Sequence, residues 1–451
     1  MFVSYPSNLG GYHCALKSKR LIMLSLASVL SLSCTSSFAA DLEPIAEEEA
    51  APKNFEERFV AAIKDSKTLL NTRLRYENAD QSVFANDANG VTFRARFGFE
   101  TADFEGFKLL AEGDFTQSVG VDNFNSTVNG NTTFPIIADP NSQRLNRLHL
   151  TYKGIIPGTK FIGGRQRIKL DNDRFVGNVG FRQNEQTFDA IRVQNTLIEN
   201  LTLDYTFAWQ ANRIFGSDAP DGGAGNAGTA EGNSHFANVS YALPFGKITG
   251  YGYFVDADDF APAQSNQTFG GRFVGNHKFE RGFNIGLEAE FANQTEFQAN
   301  QNNISLNYYT VIGSIGYKRF TLKGGIETLE GDGTAGFATP FATLHKFNGD
   351  ADVFLVTPTG GLQDLNVSLQ YKVAKVPVLG DVRLLARYHD FNSELTGADI
   401  GKEFDFGIYT KPTKHTSVSF EYADYQTDSA GSGIPSGTDL RRLFLTLGFK
   451  L

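Results

Sequence analysis

The sequence predicts an all-β fold: a transmembrane antiparallel β-barrel of about 18 strands, with long extracellular loops and short periplasmic turns. Three observations point to this class. Apolar and polar residues alternate with a period of two along most of the chain, the connections alternate between long and short, and the last alternating segment ends at the final residue. An apolar parity facing lipid and a polar parity facing a lumen is the pattern of outer-membrane barrels.

The composition excludes several other classes. The 451 residues include forty Phe and one Trp, and the net charge is -9 at a mean hydropathy of -0.25. Neither a disordered chain nor a helical membrane protein has this composition. Cys14 and Cys34 both precede residue 40, so disulfides, zinc-thiolate sites and cysteine nucleophiles are excluded beyond it. The acidic balance also argues against nucleic acid as a partner.

Residues 1–40 are predicted to be a signal peptide. Lys17, Lys19 and Arg20 form a basic stretch, and residues 21–32 form an apolar run. Ser37 and Ala39 supply the small side chains of a cleavage site. The apolar run is too short for a transmembrane helix, which needs roughly 20 residues. We therefore expect export through the inner membrane.

Residues 41–68 are predicted to be a short periplasmic N-terminal segment, and residues 69–451 the barrel. The segment carries three successive glutamates at 47–49 and then an amphipathic pattern over 54–66, which predicts a short helix. It is too short for the plug domain that a TonB-dependent transporter places before its barrel.

The strands are predicted from their two faces. In the first, Leu70, Leu74 and Tyr76 alternate with Arg73 and Arg75. The eighteen predicted strands start near residues 69, 91, 107, 145, 160, 187, 200, 235, 247, 268, 282, 306, 319, 364, 381, 403, 416 and 441. Long connections such as 118–144 and 329–363 follow odd-numbered strands, and short ones such as 244–246 follow even-numbered strands.

The C-terminal segment has an unbroken apolar parity from Leu443 to Leu451. Such final strands resemble the one that the outer-membrane assembly machinery recognises, although the usual last residue is Phe. That machinery is therefore an expected partner, together with outer-membrane lipid and lipopolysaccharide.

Barrels of 16 to 18 strands typically leave an aqueous channel, and here its predicted lining is rich in arginine. We expect a basic wall opposed by a few acids. The predicted pore-lining and substrate-binding residues are Arg73, Arg75, Arg94, Arg96, Arg147, Arg165, Arg167, Lys169, Asp189, Arg192, Glu288 and Glu290. Arginine at a constriction favours anions, and a guanidinium binds a carboxylate through two parallel hydrogen bonds. This predicts passage of anionic sugars, uronates or other small anions.

Two alternatives remain open at this point. The inward arginines could pair with inward acids such as Glu77, Glu100, Glu112 and Asp114, and so line a weakly selective general porin. A lumen filled with such pairs would instead give a structural or adhesin barrel that does not conduct.

Four segments resemble the alginate-export porin family of Gram-negative outer membranes. They are 163–167 (GGRQR), 171–177 (DNDRFVG), 186–192 (QTFDAIR) and 339–349 (TPFATLHKFNG). The resemblance implies a monomeric eighteen-stranded barrel that passes anionic polysaccharide or oligosaccharide. It also implies that Arg165 and Arg167 are constriction arginines and that Asp189 and Arg192 form a charged pair.

One feature departs from the alginate exporters. Their long periplasmic turn near the C-terminus occludes the pore, whereas the corresponding turn here spans only residues 411–415. An open channel for small acidic solutes is therefore expected rather than polymer secretion.

No enzyme, cofactor or metal site is predicted. The GxGxxG match at 223–228 lies in a glycine-rich loop without the flanking strand and helix of a nucleotide fold. The Asp-rich stretch at 256–259 lacks EF-hand spacing, and no Gly-x-Ser-x-Gly elbow occurs. The expected location is the Gram-negative outer membrane.

Overall fold

The computed structural model describes residues 54–223, 225–428 and 438–451. The predicted signal peptide, most of the acidic stretch that follows it, and the centre of the last long connection lie outside these residues. The described part contains one α-helix, three short 3₁₀ segments and eighteen β-strands.

The α-helix α1 spans Phe55–Lys64, and the 3₁₀ segments span Pro262–Gln264, Glu280–Gly282 and Leu344–Lys346. The strands are β1 Lys67–Gln81, β2 Ala88–Glu100, β3 Phe107–Asn123, β4 Ser142–Lys153, β5 Thr159–Gln166, β6 Thr187–Asn195, β7 Leu201–Asn212, β8 Thr229–Leu243, β9 Gly246–Val255, β10 Asn266–Lys278, β11 Phe283–Glu296, β12 Ser305–Tyr317, β13 Phe320–Leu329, β14 Leu362–Val376, β15 Gly380–Asn392, β16 Asp399–Lys411, β17 Thr416–Thr427 and β18 Leu440–Lys450.

The eighteen strands form one closed antiparallel sheet, which confirms the predicted fold. Each strand pairs with its neighbours in sequence, and β1 also pairs with β18. In this closing seam Asn71 lies opposite Lys450, and the backbone N–H of Leu451 donates to the carbonyl of Leu70 at 3.0 Å. Closure leaves no strand edge unpaired, so every strand backbone can be satisfied within the sheet.

The connections alternate in length as the sequence predicts. Short turns follow the even-numbered strands, and the two longest loops follow β5 and β13. These two loops do not extend away from the barrel but fold into it. We call residues 167–186 loop A and residues 330–361 loop B.

The two faces of the barrel differ in the predicted way. On β11 the side chains of Phe283, Leu287 and Phe291 are exposed on the outer face, whereas Glu290 and Ala292 on the inward parity are buried. The same holds around the barrel, where exposed large apolar residues dominate the outward parity. A barrel of this kind presents that face to lipid.

The N-terminal helix α1 starts with a capping box. The side chain of Asn54 accepts a hydrogen bond from the N–H of Glu57 at 2.8 Å, and the Glu57 side chain accepts from the N–H of Asn54. The barrel strand begins two residues after Asp65, the helix C-cap, at Lys67. No helix in the described part of the chain is both long and apolar enough to cross a membrane.

Candidate functional site: a constriction of two loops in the lumen

Loop A crosses the interior from one wall to the other. Near its end, the carbonyl of Phe181 accepts hydrogen bonds from Arg73 at 2.5 Å and Arg75 at 2.9 Å, both on β1. Near its start, Asp171 binds Lys247 on β9 at 3.2 Å. Because β1 and β9 lie on opposite sides of the closed sheet, loop A spans the lumen.

Loop B folds against the strands from β13 to β18. The backbone N–H of Ala351 donates to Glu403 on β16 at 2.7 Å, and Asp350 binds Arg387 on β15 at 3.1 Å. The carbonyl of Ala351 accepts from Arg442 on β18 at 2.8 Å. Loop B therefore covers the wall that loop A leaves free.

The two loops are joined by backbone and side-chain bonds. The N–H of Gly177 donates to the carbonyl of Phe341 at 2.9 Å, and the N–H of Thr343 donates to the carbonyl of Asp173 at 2.9 Å. A Cβ at Gly177 would lie 2.2 Å from Oγ1 of Thr343, so only glycine permits this approach. These contacts join segments 171–177 and 339–349, two of the four that carried the sequence resemblance.

An apolar cluster lies inside the lumen beneath this junction. Phe188 packs edge-on against Phe236 on β8, with ring centroids 5.9 Å apart, and against Phe341 of loop B at 5.4 Å. Val176 of loop A is fully buried in the same cluster. Part of the inward face is thus apolar, unlike the usual polar lumen.

The barrel seam and both loops meet at Glu77 of β1. This buried carboxylate binds Arg182 of loop A at 2.9 Å and Arg442 of β18 at 2.8 Å. Arg182 also binds Asp352 of loop B at 2.9 Å. Burial alone would lower the pKa of Arg182, but the charges of Glu77, Asp139 and Asp352 raise it above its ordinary value.

A group of arginines on the β1–β2 and β4 wall lacks carboxylate partners among the described residues. Arg73 donates to the carbonyls of residues 180–182, and Arg144 donates to those of Glu185 and Arg213. Arg94 is 1 % exposed and donates only to the side-chain oxygen of Asn71.

The register makes this group unusual. Arg73 and Arg94 lie directly opposite each other on adjacent strands and share the inward face. Like charges in this arrangement destabilise a sheet. Since carbonyl oxygens carry no net charge, the hydrogen bonds satisfy these guanidinium groups without neutralising them. The β1–β2 wall therefore keeps an excess of positive charge.

The neighbouring predicted residues are paired. Arg96 binds Asp114 at 3.0 Å, Arg147 binds Glu112 through two hydrogen bonds at 2.8 and 2.7 Å, and Lys169 binds Asp173 at 3.2 Å.

Glu185 of loop A binds both Arg96, at 3.3 Å, and Arg167. Burial would raise the pKa of Glu185, but the charges of these two arginines hold it well below its ordinary value. Arg167 and Lys169 lie in loop A and not on a strand.

Carboxylates dominate the opposite wall. Glu327 of β13 and Asp364 of β14 lie directly opposite each other, and Asn348 of loop B donates to both, at 2.7 and 3.2 Å. Farther along this wall, Asp405 and Glu403 are both buried on β16. The predicted acids Glu288 and Glu290 are inward on β11, where both bind Arg272, at 2.5 and 3.1 Å.

Two predicted site residues, Arg165 and Asp189, point away from the lumen, and the partner of a third, Arg192, differs from the expectation. Arg165 lies opposite Leu148, which is 42 % exposed on the outer face, and opposite Asp189. Paired residues of an antiparallel ladder share a face, so Arg165 and Asp189 point outward, where they bind each other at 2.7 and 2.8 Å. The expected pair of Asp189 with Arg192 is therefore wrong. Arg192 binds Asp204 instead, at 2.5 Å.

Sequence reasoning missed the residues that join the loops. Arg174 binds Glu327 at 3.1 Å, and Arg144 and Arg182 are described above. Arg174 and Arg182 fall in a long connection without periodicity, so their inward position had no sequence signal. Arg144 just precedes the predicted start of its strand at 145 and shares the parity of the outward Leu148 and Leu150. A bulge on β4 between Leu145 and Arg147 turns it towards the lumen, and alternation alone does not reveal that bulge.

A second like-charged pair lies at the turn end of the barrel. Lys153 on β4 is directly opposite Lys160 on β5. Both border a cavity of about 510 Å³ between the turns 154–158 and 196–200, with Gln194 and Thr202 in its lining. Positive charge thus occurs both at the loops and at this mouth.

Comparisons with known proteins support the fold. The chain is similar to the crystal structure of Pseudomonas aeruginosa OpdL, with 16 % identity and a TM-score of 0.64, covering 86 % of this chain and 99 % of that one. It is similar to Pseudomonas aeruginosa OpdK with vanillate, at 14 % identity, a TM-score of 0.66, and 86 and 99 % coverage. It is also similar to Acinetobacter baumannii OccAB3, with 15 % identity and a TM-score of 0.65, covering 86 % of this chain and 100 % of that one.

OpdK is itself described as an outer membrane protein. At these identities the likeness concerns the barrel fold alone. No protein-family model and no curated protein matches the sequence. The resemblance to the alginate-export porins accordingly stays a prediction.

Proposed function

We propose that this protein is an outer-membrane porin that passes small anionic solutes by passive diffusion. The observation that carries the proposal is the inward, directly opposed pair Arg73 and Arg94, to which no described carboxylate is bound. Keeping two guanidinium groups together costs stability, and an anion in the pore offsets that cost while it is bound. The proposal includes no catalytic step.

The substrate class is proposed to be carboxylates, including sugar acids, uronates and alginate-like oligosaccharides. Guanidinium groups recognise a planar carboxylate better than a halide, because two parallel hydrogen bonds can form. The OpdK structure with vanillate offers a precedent in a protein of the same fold, since vanillate is also a carboxylate.

A barrel that conducts poorly is the second candidate, and a specific observation favours it. Loops A and B are bonded to each other and to both walls, so the lumen is narrowed at their junction. The ion pairs of Arg96 and Arg147 would also make a conducting pore less selective. A low single-channel conductance would indicate the poorly conducting barrel, and a reversal potential near zero would indicate a weakly selective pore.

The test is a reversal potential across a planar bilayer with a potassium chloride gradient, using Arg94→Gln and a matched control, Arg165→Gln. The wild type is expected to prefer chloride. Arg94→Gln should lower the chloride-to-potassium permeability ratio by about fivefold, taking ~1 kcal/mol for one charge close to the ion in water. Arg165→Gln should leave the ratio unchanged, because Arg165 points outward.

Other outcomes would decide against the proposal. Cation preference in the wild type would exclude an anion channel. No conductance at all would favour the structural barrel. Equal effects of the two variants would mean that Arg94 does not face the conducting path.

A further inference from the structure

The apolar side of α1 is exposed. Phe55, Phe59 and Ile63 recur every four residues and so fall on one side of the helix, and all three are exposed, Phe55 by 62 %. Val60 beside them is exposed as well. The described part of the barrel leaves most of this apolar surface uncovered.

The helix is attached to the turn between β2 and β3. Phe104 of this turn packs edge-on against Phe55 and Phe59, with ring centroids 5.0 and 5.4 Å apart. Arg58 binds Glu105 at 2.7 Å, and the N–H of Ala102 donates to the helix carbonyl of Ala62 at 3.1 Å. The position of α1 is thus fixed to residues 101–106.

The strand register shows whether Phe104, and with it α1, lies on the outer or the inner face of the barrel. Phe104 forms an antiparallel bridge with Phe107, so the two side chains share a face. Phe107 is 41 % exposed and packs against Tyr152 of β4 at 4.2 Å. Its neighbour on the same parity, Leu109, is also exposed. That face is the outer one.

The aromatic surface is therefore continuous from the barrel wall to the helix. On the outer face Phe107 packs against Tyr152 and pairs with Phe104. Phe104 in turn packs against Phe55 and Phe59 of the helix. Aromatic residues collect where an outer-membrane barrel meets the interface with water. An amphipathic helix that lies in such an interface buries its apolar side at the boundary of headgroups and acyl chains.

We infer that α1 is an interfacial membrane helix, which lies on the periplasmic leaflet of the outer membrane beside β2–β4 with Phe55, Phe59 and Ile63 in lipid. The inference rests on the proposed outer-membrane location. The exposed Lys64 on the other side of the helix faces water. The lipid-facing surface of the protein thus extends past the barrel wall, and the segment 41–68 is only partly periplasmic.

The test uses tryptophan fluorescence, since the chain has a single Trp. In a Trp209→Phe background, Phe59→Trp reports on the apolar side of α1. Lys64→Trp, five residues on and about 140° around the helix, is the matched control. Phe97→Trp, at a position 58 % exposed on the outer face of β2, is the reference for lipid contact. Each variant is folded into phosphatidylcholine vesicles with acyl chains brominated near the headgroup.

Bromine quenches tryptophan on contact. Phe59→Trp should be quenched about as strongly as Phe97→Trp and should be protected from iodide in the water. Lys64→Trp should show the reverse. Heat-modifiable migration on gels verifies that each barrel has folded.

Three results would overturn the inference. Quenching of Phe59→Trp by iodide and not by bromolipid would place the apolar side in the periplasm. Protection from both quenchers with a doubled particle mass in detergent would assign it to a second copy of the chain. If Phe97→Trp also escapes bromolipid, the membrane location itself fails, and the inference fails with it.

Discussion

Loop A is held by cationic donors of the barrel wall, whereas loop B is held mainly by anionic acceptors. Arg73 and Arg75 donate to carbonyls of loop A. On the other side, Glu403 accepts from the backbone N–H of Ala351, and Asp364 accepts from Asn348. Each loop therefore offers the backbone or amide groups that complement the wall it covers.

This difference explains how one lumen contains two walls of unlike charge. A carbonyl or an amide satisfies the hydrogen bonds of a charged side chain and leaves its net charge in place. The charges of Arg73 and Arg94 are stabilised in this way, whereas Glu327 on the opposite wall is also neutralised by Arg174 of loop A.

Arg182 of loop A joins the two loops, because it binds both Glu77 of β1 and Asp352 of loop B. Its removal should have the largest effect on stability and conductance. Arg182→Ala leaves Glu77 with one cation fewer and Asp352 without its arginine. Breaking a buried ion pair in this way costs about 3–5 kcal/mol. We expect both loops to loosen, with a lower thermal unfolding midpoint and larger fluctuations of single-channel conductance.

The control is Lys402→Ala, which removes an exposed pair with Asp428. Exposed pairs contribute about 0–1 kcal/mol, so neither the midpoint nor the conductance should change. If Arg182→Ala behaves like Lys402→Ala, the loops are held independently of this arginine.

Single substitutions of intermediate effect should also loosen loop A or loop B separately. Arg73→Met removes three hydrogen bonds to loop A, and Asn348→Ala removes those of loop B to Glu327 and Asp364. Hydrogen bonds to charged groups contribute about 1.5–3 kcal/mol. Trypsin digestion of the detergent-solubilised barrel, followed by mass spectrometry, reports on each loop, since both contain Lys or Arg.

Cleavage in the Arg73→Met variant is expected only within loop A. In Asn348→Ala it is expected only after Lys346 of loop B. Cleavage of both loops in either variant would show that loops A and B open together and are not independent of each other.

A smaller, pH-dependent effect is expected from His345 of loop B. It binds Asp352 at 2.7 Å and stacks on Phe181 of loop A at 3.4 Å. Burial would lower the pKa of His345, but the charge and hydrogen bond of Asp352 raise it above its ordinary value. Burial likewise would raise the pKa of Asp352, while His345 and Arg182 hold it well below its usual range.

The sign of the effect follows from these directions. The contribution of His345 is complete below its ordinary pKa of about 6.5 and is lost as pH rises through the raised value. That of Asp352 is lost only in strong acid. Conductance fluctuations should therefore be smallest below about pH 6.5 and should increase as the pH rises through the raised pKa of His345. His345→Gln should remove this dependence, and an unchanged slope in that variant would assign it to another group.

The strands could be predicted from the sequence because alternation and connection length act locally. The predicted strand starts lie within four residues of the observed ones except for β8, which begins at Thr229 and not near 235. The inward position of Arg73 and Arg94 was predicted by the same alternation, since their neighbours on the other parity are apolar.

The orientation of Arg165 could not be predicted in this way. On β5 the inward parity contains Ile162, which is 8 % exposed, and the outward parity contains Arg165. Both parities of this strand mix polar and apolar residues, with Phe161 beside Arg165 on one and Ile162 beside Gln166 on the other, so alternation gives no orientation. An apolar side chain is then no sign of the lipid face, and only the three-dimensional packing of the loops reveals it.

The shared carboxylate Glu77 also has a consequence for assembly. Its two partners come from loop A and from β18, and β18 is the last strand to leave the ribosome and the translocon. Contacts of such large sequence separation form late in folding. Until β18 closes the seam, Glu77 lacks Arg442, and loop B lacks the donor to its Ala351 carbonyl. In a partly inserted barrel, loops A and B should therefore lack these bonds to the wall. Closure of the sheet by β18 and fixation of the two loops in the lumen should occur in the same kinetic step.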